Sequence, residues 1–372
     1  MLKFTRQILI RCSVSVVTCL IGIGVSLLFR QEALPVAPME TLPAGTVPHV
    51  RDAAFVGKDK ACLVTWGQDG DLWRTDDAGA SWNKVSGKAV GGMFCGVSFI
   101  DSNRGWAGNF DGQIFRTYDS GLSWEFLSKP FGDDRHDSLV CPQQISFIDE
   151  NRGWVIGSFS IWRTEDGGRS WIRSLSMDWV DSVLWQPTHV SFANKDVGLM
   201  SASGGVVHVT KDGGRTWQSQ KLITGASDAT DALTVNEQIS WLTGFVSSTE
   251  PQPGTRLFQS EDAGDHWRSV PIGDDHTYIN SLCFLNEKKG WAVGRVWNAP
   301  GDMRGLILHT VDGGNSWQNI QLDANDSYFE RMTFVDSQHG WLIGSNNIYR
   351  TEDQGKSWRS VLKVMPMKVA ID

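Results

Sequence analysis

The sequence lacks the short motifs that announce most enzymatic chemistry. Its 372 residues contain no glycine-rich phosphate loop after a strand, no HExxH, no CxxC, no GxSxG and no EF-hand spacing. These absences remove a phosphate cradle, the paired histidines of a zinc hydrolase, a dithiol centre, a serine nucleophile elbow and a calcium loop. Positive charge is also short, since 34 Lys+Arg against 42 Asp+Glu leave a formal net charge of -8. An acidic chain has no general attraction for phosphate backbones, so nucleic acid is not expected as a partner. No catalytic residue, metal or cofactor is assigned. A composition of 20% charged and 41% hydrophobic residues excludes a disordered tail, a collagen and a polytopic membrane protein.

Tyrosine is scarce, with four residues, whereas tryptophan reaches 18. That imbalance points to one aromatic position recurring in a repeated unit. A block of the form apolar, aromatic or apolar, x, Thr/Ser, x, Asp, x, Gly, x, Ser/Thr, Trp occurs seven times, from LWRTDDAGASW (Leu72 to Trp82) to IYRTEDQGKSW (Ile348 to Trp358). The closing tryptophans are 42, 47, 46, 50, 50 and 41 residues apart, the period of propeller blades. Each block reads as a strand, a turn in which Asp accepts backbone N–H bonds and Gly supplies a positive φ, and a strand opening at Ser-Trp. The turn carboxylates are Asp77, Asp119, Asp166, Asp212, Asp262, Asp312 and Asp353. A feature present in every unit is a folding device, so none of these is read as a catalytic acid.

A second block lies upstream, as FIDSNRGWAG (Phe99 to Gly108), FIDENRGWVIG (Phe147 to Gly157), FLNEKKGWAVG (Phe284 to Gly294) and FVDSQHGWLIG (Phe334 to Gly344). Degenerate copies stand at Phe55, Phe192 and Val235. Each unit then holds four short antiparallel strands, and residues 51–365 are expected to form an all-β, seven-bladed β-propeller with four-stranded blades. Twelve of the 18 tryptophans belong to the two blocks and are read as packing residues.

Residues 1–30 read differently. Lys3, Arg6 and Arg11 precede an uncharged run from Cys12 to Phe29, which Arg30 closes. At about 1.5 Å per residue this run matches the hydrocarbon thickness of a bilayer, and the cations place the N-terminus in the cytoplasm. The expectation is one N-terminal transmembrane helix holding the rest of the chain on the periplasmic, extracytoplasmic side, with a cleaved signal peptide as the alternative. Residues 31–50, with Pro35, Pro38, Pro43 and Pro48, read as an extended tether, and 366–372 as a C-terminal tail. The ring must close without a strong clasp unless residues near Thr46 to Val50 add to the last blade. Four cysteines fall in the propeller, Cys62, Cys95, Cys141 and Cys283, and spacing does not choose among their three pairings.

The S/T-x-D-x-G-x-[S/T]-W turn resembles the Asp-box, or bacterial neuraminidase repeat, of sialidases, some xyloglucanases, sortilin-type receptors and photosystem II stability and assembly factors. The alternating F-[IVL]-[DN]-x-x-x-G-W block makes the last family the nearest likeness. The resemblance implies a non-enzymatic assembly factor that holds membrane-protein subunits outside the membrane, in the thylakoid lumen if the source is photosynthetic. A membrane protein or membrane-protein complex is the partner it implies.

In such a ring the Asp-boxes share a face with Arg104, Arg152, Lys195, Lys288, Lys289 and His339 of the Gly-Trp turns. Just before the boxes, Arg74, Arg116, Arg163 and Arg350 occupy one equivalent position in blades 1, 2, 3 and 7, which a closed ring makes consecutive. This arc, with Arg104 and Arg152, is the expected partner-binding set, because arginine offers planar bidentate hydrogen bonds to carboxylates. The alternative ties each arginine to groups of its own blade. The opposite face is expected to be acidic, through Asp133, Asp134, Asp137, Asp178, Asp181, Asp228, Asp231, Asp274, Asp275, Asp323 and Asp326, and to offer a site for a small molecule or glycan. An alternative function is a sialidase-like or other glycoside hydrolase, using Arg256, Arg295, Arg304, Tyr278, Tyr328, Glu250 and Glu330 around the long loops of blades 5 and 6. Against it, the Phe-Arg-Ile-Pro motif of sialidases is absent.

Overall fold

The computed structural model describes residues 46–65, 71–85, 93–130, 142–176, 186–223, 227–246, 254–273, 276–299 and 302–365. The anchor expected over 1–30, most of the tether and the C-terminal tail lie outside these residues. Among the described residues, no helix is long and apolar enough to cross a membrane.

Seven sheets follow one another along the chain, each with four antiparallel strands in sequence order. They are the blades of a propeller. Numbered from the channel outward, the first strands are Val50–Phe55, Phe94–Phe99, Gln144–Phe147, Pro187–Phe192, Ser227–Thr234, Thr277–Phe284 and Phe329–Phe334. The Gly-Trp block joins the first and second strands of a blade, and the Asp-box joins the third and fourth.

Thr46 and Val47 add a fifth strand to the last blade, pairing in parallel with Lys363 and Val364. The end of the expected tether therefore belongs to the propeller. Val47, His49 and Val50 are buried there, and Val47 and Val50 pack with Trp341, Ile343, Leu362 and Val364 of blade 7.

The Asp-box geometry is the same in all seven blades. The Thr or Ser hydroxyl donates to one Asp oxygen at 2.8–2.9 Å and accepts the N–H of the box glycine at 2.8–3.0 Å. The same Asp accepts the N–H of the residue before the tryptophan at 2.8–2.9 Å. Blade 5 puts His266 at this last position, with Nδ1 2.7 Å from Asp262 Oδ2. Two consecutive residues adopt positive φ, not the single glycine that the motif suggests. The first of them is Ala78, Ser120, Gly167, Gly213, Ala263, Gly313 or Gln354. Its N–H donates to a carbonyl of the first-to-second-strand turn at 2.8–3.1 Å, which locks the two turns of each blade together on one face.

The hydrophobic core lies between blades and is divided into one cluster per interface. The Gly-Trp tryptophans Trp106, Trp154, Trp241, Trp291 and Trp341 are essentially fully buried. Residues 296–299 and 302–305, in the expected long loop of blade 6, instead extend its second and third strands, Gly290–Ala299 and Asp302–Thr310.

Candidate functional site

The arginines before the boxes are the penultimate residues of third strands, and two of them reach the backbone of the neighbouring blade. Arg350 of blade 7 donates from Nε to Lys58 O of blade 1 at 3.1 Å and is 3% exposed. Arg74 of blade 1 donates from Nε to Ser120 O of blade 2 at 2.8 Å and is 8% exposed. Each also pairs with the acid two residues on, Glu352 and Asp76. Arg116 is 8% exposed, lies 4.5 Å over the Tyr118 ring and reaches Glu125 at 3.5 Å. Arg163 meets Glu165 at 2.6 Å, and Glu165 also accepts from Arg215 of blade 4 at 2.6 Å. Arg350, Arg74, Arg116 and Arg163 stand at equivalent positions in the consecutive blades 7, 1, 2 and 3. All four guanidiniums pair with a carboxylate of their own blade, as the alternative has it, and those of Arg350 and Arg74 donate in addition to a carbonyl of the next blade.

Arg104 and Arg152 stand outside this buried row. Arg104 is shared by Asp101 of its own turn and Glu150 of blade 3. Arg152 lies 3.3 Å from Asp149. Both are only half-buried, and exposed Arg169 and Arg215 donate to the carbonyls of their own box aspartates at 2.9 and 3.0 Å. Exposed ion pairs of this kind are worth roughly 1 kcal/mol or less, so these guanidiniums can exchange their partners for the carboxylates of another chain. Blades 2 to 4 therefore present a rim of four available arginines.

The box carboxylates are not available in this sense. Hydrogen bonds from Ser81 hold Asp77 below the usual carboxylate range, and Asp262 and Asp312 fall to about 2 through bonds from His266 and Ser316. All seven are ionised at neutral pH and engaged within their own turns.

The sequence reading missed an inner polar ring. Three residues before the end of each first strand stand Asp52, Gly96, Gln144, His189, Asp231, Ser281 and Arg331. Asp52 accepts Val97 N of blade 2 at 2.8 Å, Gln144 accepts Val190 N of blade 4 at 2.7 Å, and Asp231 accepts Leu282 N of blade 6 at 2.8 Å. Arg331 of blade 7 donates to Asp52 of blade 1 at 2.6 Å. Burial holds His189 below the usual imidazole range although its Nε2 lies 3.4 Å from Asp231. The available signal was positional, the third residue before the end of the first strand, but the residue type there changes around the ring and only Asp occurs twice.

Of the expected acidic mouth, Asp231 and Asp326 are buried and consumed internally. Asp326 accepts the N–H groups of Asn346 and Asn347 and the hydroxyl of Tyr349. Asp323 is exposed. The side chains of the other members lie outside the described residues, and no observation supports a glycan there.

Of the residues of the glycosidase alternative, Glu330 and Arg295 act electrostatically on Tyr328. Arg295 covers the Tyr278 ring at 4.7 Å, Arg304 pairs with Asp302 at 3.0 Å, and Arg256 donates to Thr255 O at 3.1 Å. Tyr328 OH lies 3.2 Å from His49 Nε2, and burial pushes its phenol above the ordinary tyrosine value. A nucleophilic tyrosine needs the opposite shift. Glu250 lies outside the described residues. Among those described, no group of three or more His, Cys, Asp or Glu could hold a metal ion.

Fold and turns together define a seven-bladed β-propeller of the Asp-box type. Residues 92–238, from the threshold of blade 2 into blade 5, match the family model described as Photosynthesis system II assembly factor YCF48. Over those residues the chain resembles the photosystem II assembly factor-like Asp-box propellers. Among solved structures it is similar to YCF48 bound to a D1 peptide, with 19% identity and a TM-score of 0.60 over 86% of this chain and 98% of that one. YCF48 from Cyanidioschyzon merolae gives 18% identity and a TM-score of 0.61 over 85% and 98%. A GH74 xyloglucanase from Xanthomonas campestris gives 13% identity and a TM-score of 0.66 over 87% of this chain but 55% of the enzyme. At these identities the structural likeness concerns the fold. No curated protein matches the sequence.

Proposed function

We propose that this propeller is a non-catalytic module that binds an extracytoplasmic segment of a membrane-protein subunit and holds it during assembly. The observation that carries this reading is the assembly-factor match over residues 92–238. That span also contains the rim of Arg104, Arg152, Arg169 and Arg215, and we place the partner contact there. A neighbour in structure is described as bound to a D1 peptide, which supports a peptide segment as the ligand class. Cys95 is disulfide-bonded, a bond that favours an oxidising compartment and supports the extracytoplasmic placement.

Binding is preferred to glycoside hydrolysis because the tyrosines, acids and arginines of the alternative do not form an activated pair. The test is purification of the full-length protein from its own membranes in mild detergent, with mass spectrometry of what accompanies it and a glycoside panel on the same sample. A stoichiometric membrane-protein partner without turnover is expected. Turnover without a partner overturns the reading.

A further inference from the structure

Arg74, Arg163 and Arg350 each meet a carboxylate two residues on, within the box of their own blade: Asp76, Glu165 and Glu352. Blade 2 departs from this rule, because its equivalent residue is Tyr118. Arg116 therefore has no box acid. Its guanidinium lies 4.5 Å over the Tyr118 ring and 3.5 Å from Glu125, a fourth-strand carboxylate that is 64% exposed. Neither contact replaces a short charge-assisted pair.

A second partner is missing as well, and the strand register gives the reason. Arg74 Nε donates to the carbonyl of Ser120, the first left-handed residue of the next box. The corresponding carbonyl for Arg116 is that of Gly167 in blade 3. Trp106, the cross-strand neighbour of Arg116, already donates its Nε1 to Gly167 O at 2.9 Å. In blade 1, Cys62 stands across from Arg74 and leaves Ser120 O to the arginine. Arg116 Nε is accordingly buried without a hydrogen-bond partner among the described residues, in a side chain whose residue is 8% exposed. Buried donors are nearly always satisfied, so an unpaired one on a cation marks a place for an anion.

The place can be reached from solvent. Asp76, Glu165 and Glu352 are about half-exposed, yet they meet guanidiniums no more than 13% exposed. A carboxylate arriving at the Tyr118 position has the same path to Arg116. A Cβ added at Gly167 would lie 3.8 Å from Arg116 Nη1 and 2.6 Å from Glu150 O, and Glu150 pairs with Arg104. The guanidinium thus sits beside the arginine rim. In the same turn Tyr118 and Leu122 are both more than half-exposed, Leu122 at the position that Arg169 and Arg215 take in the boxes of blades 3 and 4.

We propose that Arg116 anchors the bound peptide segment: it receives an aspartate or glutamate side chain in place of the box acid that Tyr118 supplants, and an apolar side chain beside that acid covers Tyr118 and Leu122. This rests on the peptide-binding reading above and adds the chemistry of the segment, an acid flanked by apolar residues. A carboxylate has two oxygens to offer a guanidinium side-on, one at Nε and one at a terminal nitrogen.

The experiment is isothermal titration calorimetry of the full-length protein in mild detergent. The probe is the peptide Ala-Leu-Glu-Phe-Ala, acetylated and amidated so that glutamate is its only charge. The wild type is expected to bind it roughly tenfold or more tightly than the Ala-Leu-Gln-Phe-Ala twin. Tyr118→Glu, which returns the box acid, should lose roughly tenfold or more in affinity and melt no lower than the wild type. If that variant fails to fold, the two peptides decide. Val311→Glu adds the same charge at the equivalent position of blade 6, where His309 replaces the arginine, and should bind as the wild type does. Absence of binding, equal binding of both peptides, or a Tyr118→Glu protein with wild-type affinity overturns the proposal, as does displacement of the peptide by equimolar inorganic phosphate. Failure of the peptide-binding reading shows separately in the membrane pull-down. A wild type that retains no membrane protein but binds the peptide keeps the anchor and removes that reading, whereas equal retention by wild type and Tyr118→Glu removes the anchor alone.

Discussion

Trp106 of blade 2 lies flat on Phe147 of blade 3, with ring centroids 3.9 Å apart and planes 4° apart, while its Nε1 donates to Gly167 O at 2.9 Å. Phe147 also covers Gly153, its cross-strand partner, where an added Cβ would stand 2.5 Å from the ring. One phenylalanine thus has its own blade's glycine on one face and the preceding blade's tryptophan on the other. The arrangement recurs as Trp154–Phe192, Trp241–Phe284 and Trp291–Phe334, and across the seam Trp341 stacks on Phe55, whose cross-strand partner is Ala61. Blade 4 has Leu199 at the tryptophan position and blade 5 Thr234 at the phenylalanine position, so both partners change together at that interface.

Removing either ring should weaken the whole propeller. Trp106→Ala and Phe147→Ala are each expected to lower stability by about 3–5 kcal/mol, and the double variant by less than the sum. Urea denaturation midpoints check this, and additivity would mean that the stack is not a coupled unit.

The first left-handed residue of each box makes opposite predictions by blade. Ala78 has φ 62°, so Ala78→Gly should raise stability by up to about 1 kcal/mol. Gly167 has φ 75°, and a Cβ there would meet Glu150 O at 2.6 Å. Gly167→Ala is expected to lower stability by about 1–3 kcal/mol. Thermal unfolding of the two variants side by side tests both signs.

Acid should undo the boxes together. Their aspartates have folded-state values below the unfolded 3.8, reaching about 2 for Asp262 and Asp312. Their stabilisation is therefore complete above the unfolded value and lost as pH falls through the folded one. A pH titration of tryptophan fluorescence should show cooperative unfolding beginning below about pH 4. Asp166→Asn should move that onset upward, because an amide cannot accept at both oxygens.

The two groups of arginines should separate in experiment. Arg350→Ala removes a buried guanidinium and leaves Lys58 O without its donor, and is expected to cost about 2–3 kcal/mol of stability. Arg104→Glu and Arg152→Glu change half-exposed residues and should leave the unfolding temperature within a few degrees of wild type. Circular dichroism melts distinguish the outcomes.

Blade number and strand order were legible because one turn chemistry repeats with its residue types intact. What stayed hidden follows from side-chain direction and from positions without a fixed letter. The first left-handed residue of each box escaped notice because Ala78, Ser120, Ala263 and Gln354 adopt that conformation without being glycine. Spacing placed Arg74 and Arg350 at one equivalent position but could not show that they donate to carbonyls of the next blade. The inner ring changes identity from Asp52 through His189 to Arg331, so no pattern marks it. The blade 6 hairpin hid behind Pro300 and Gly301, which punctuate what the flanking strands prove to be a single extended pair.

The most direct test of the central claim is a quantitative pull-down from detergent-solubilised membranes with the wild type and with the Arg104→Glu/Arg152→Glu variant, after confirming equal folding. The account predicts that the wild type retains a membrane-protein subunit at near one-to-one stoichiometry and that the variant loses most of it. Equal retention by both proteins would contradict the assignment of the arginine rim of blades 2 to 4 as the partner surface.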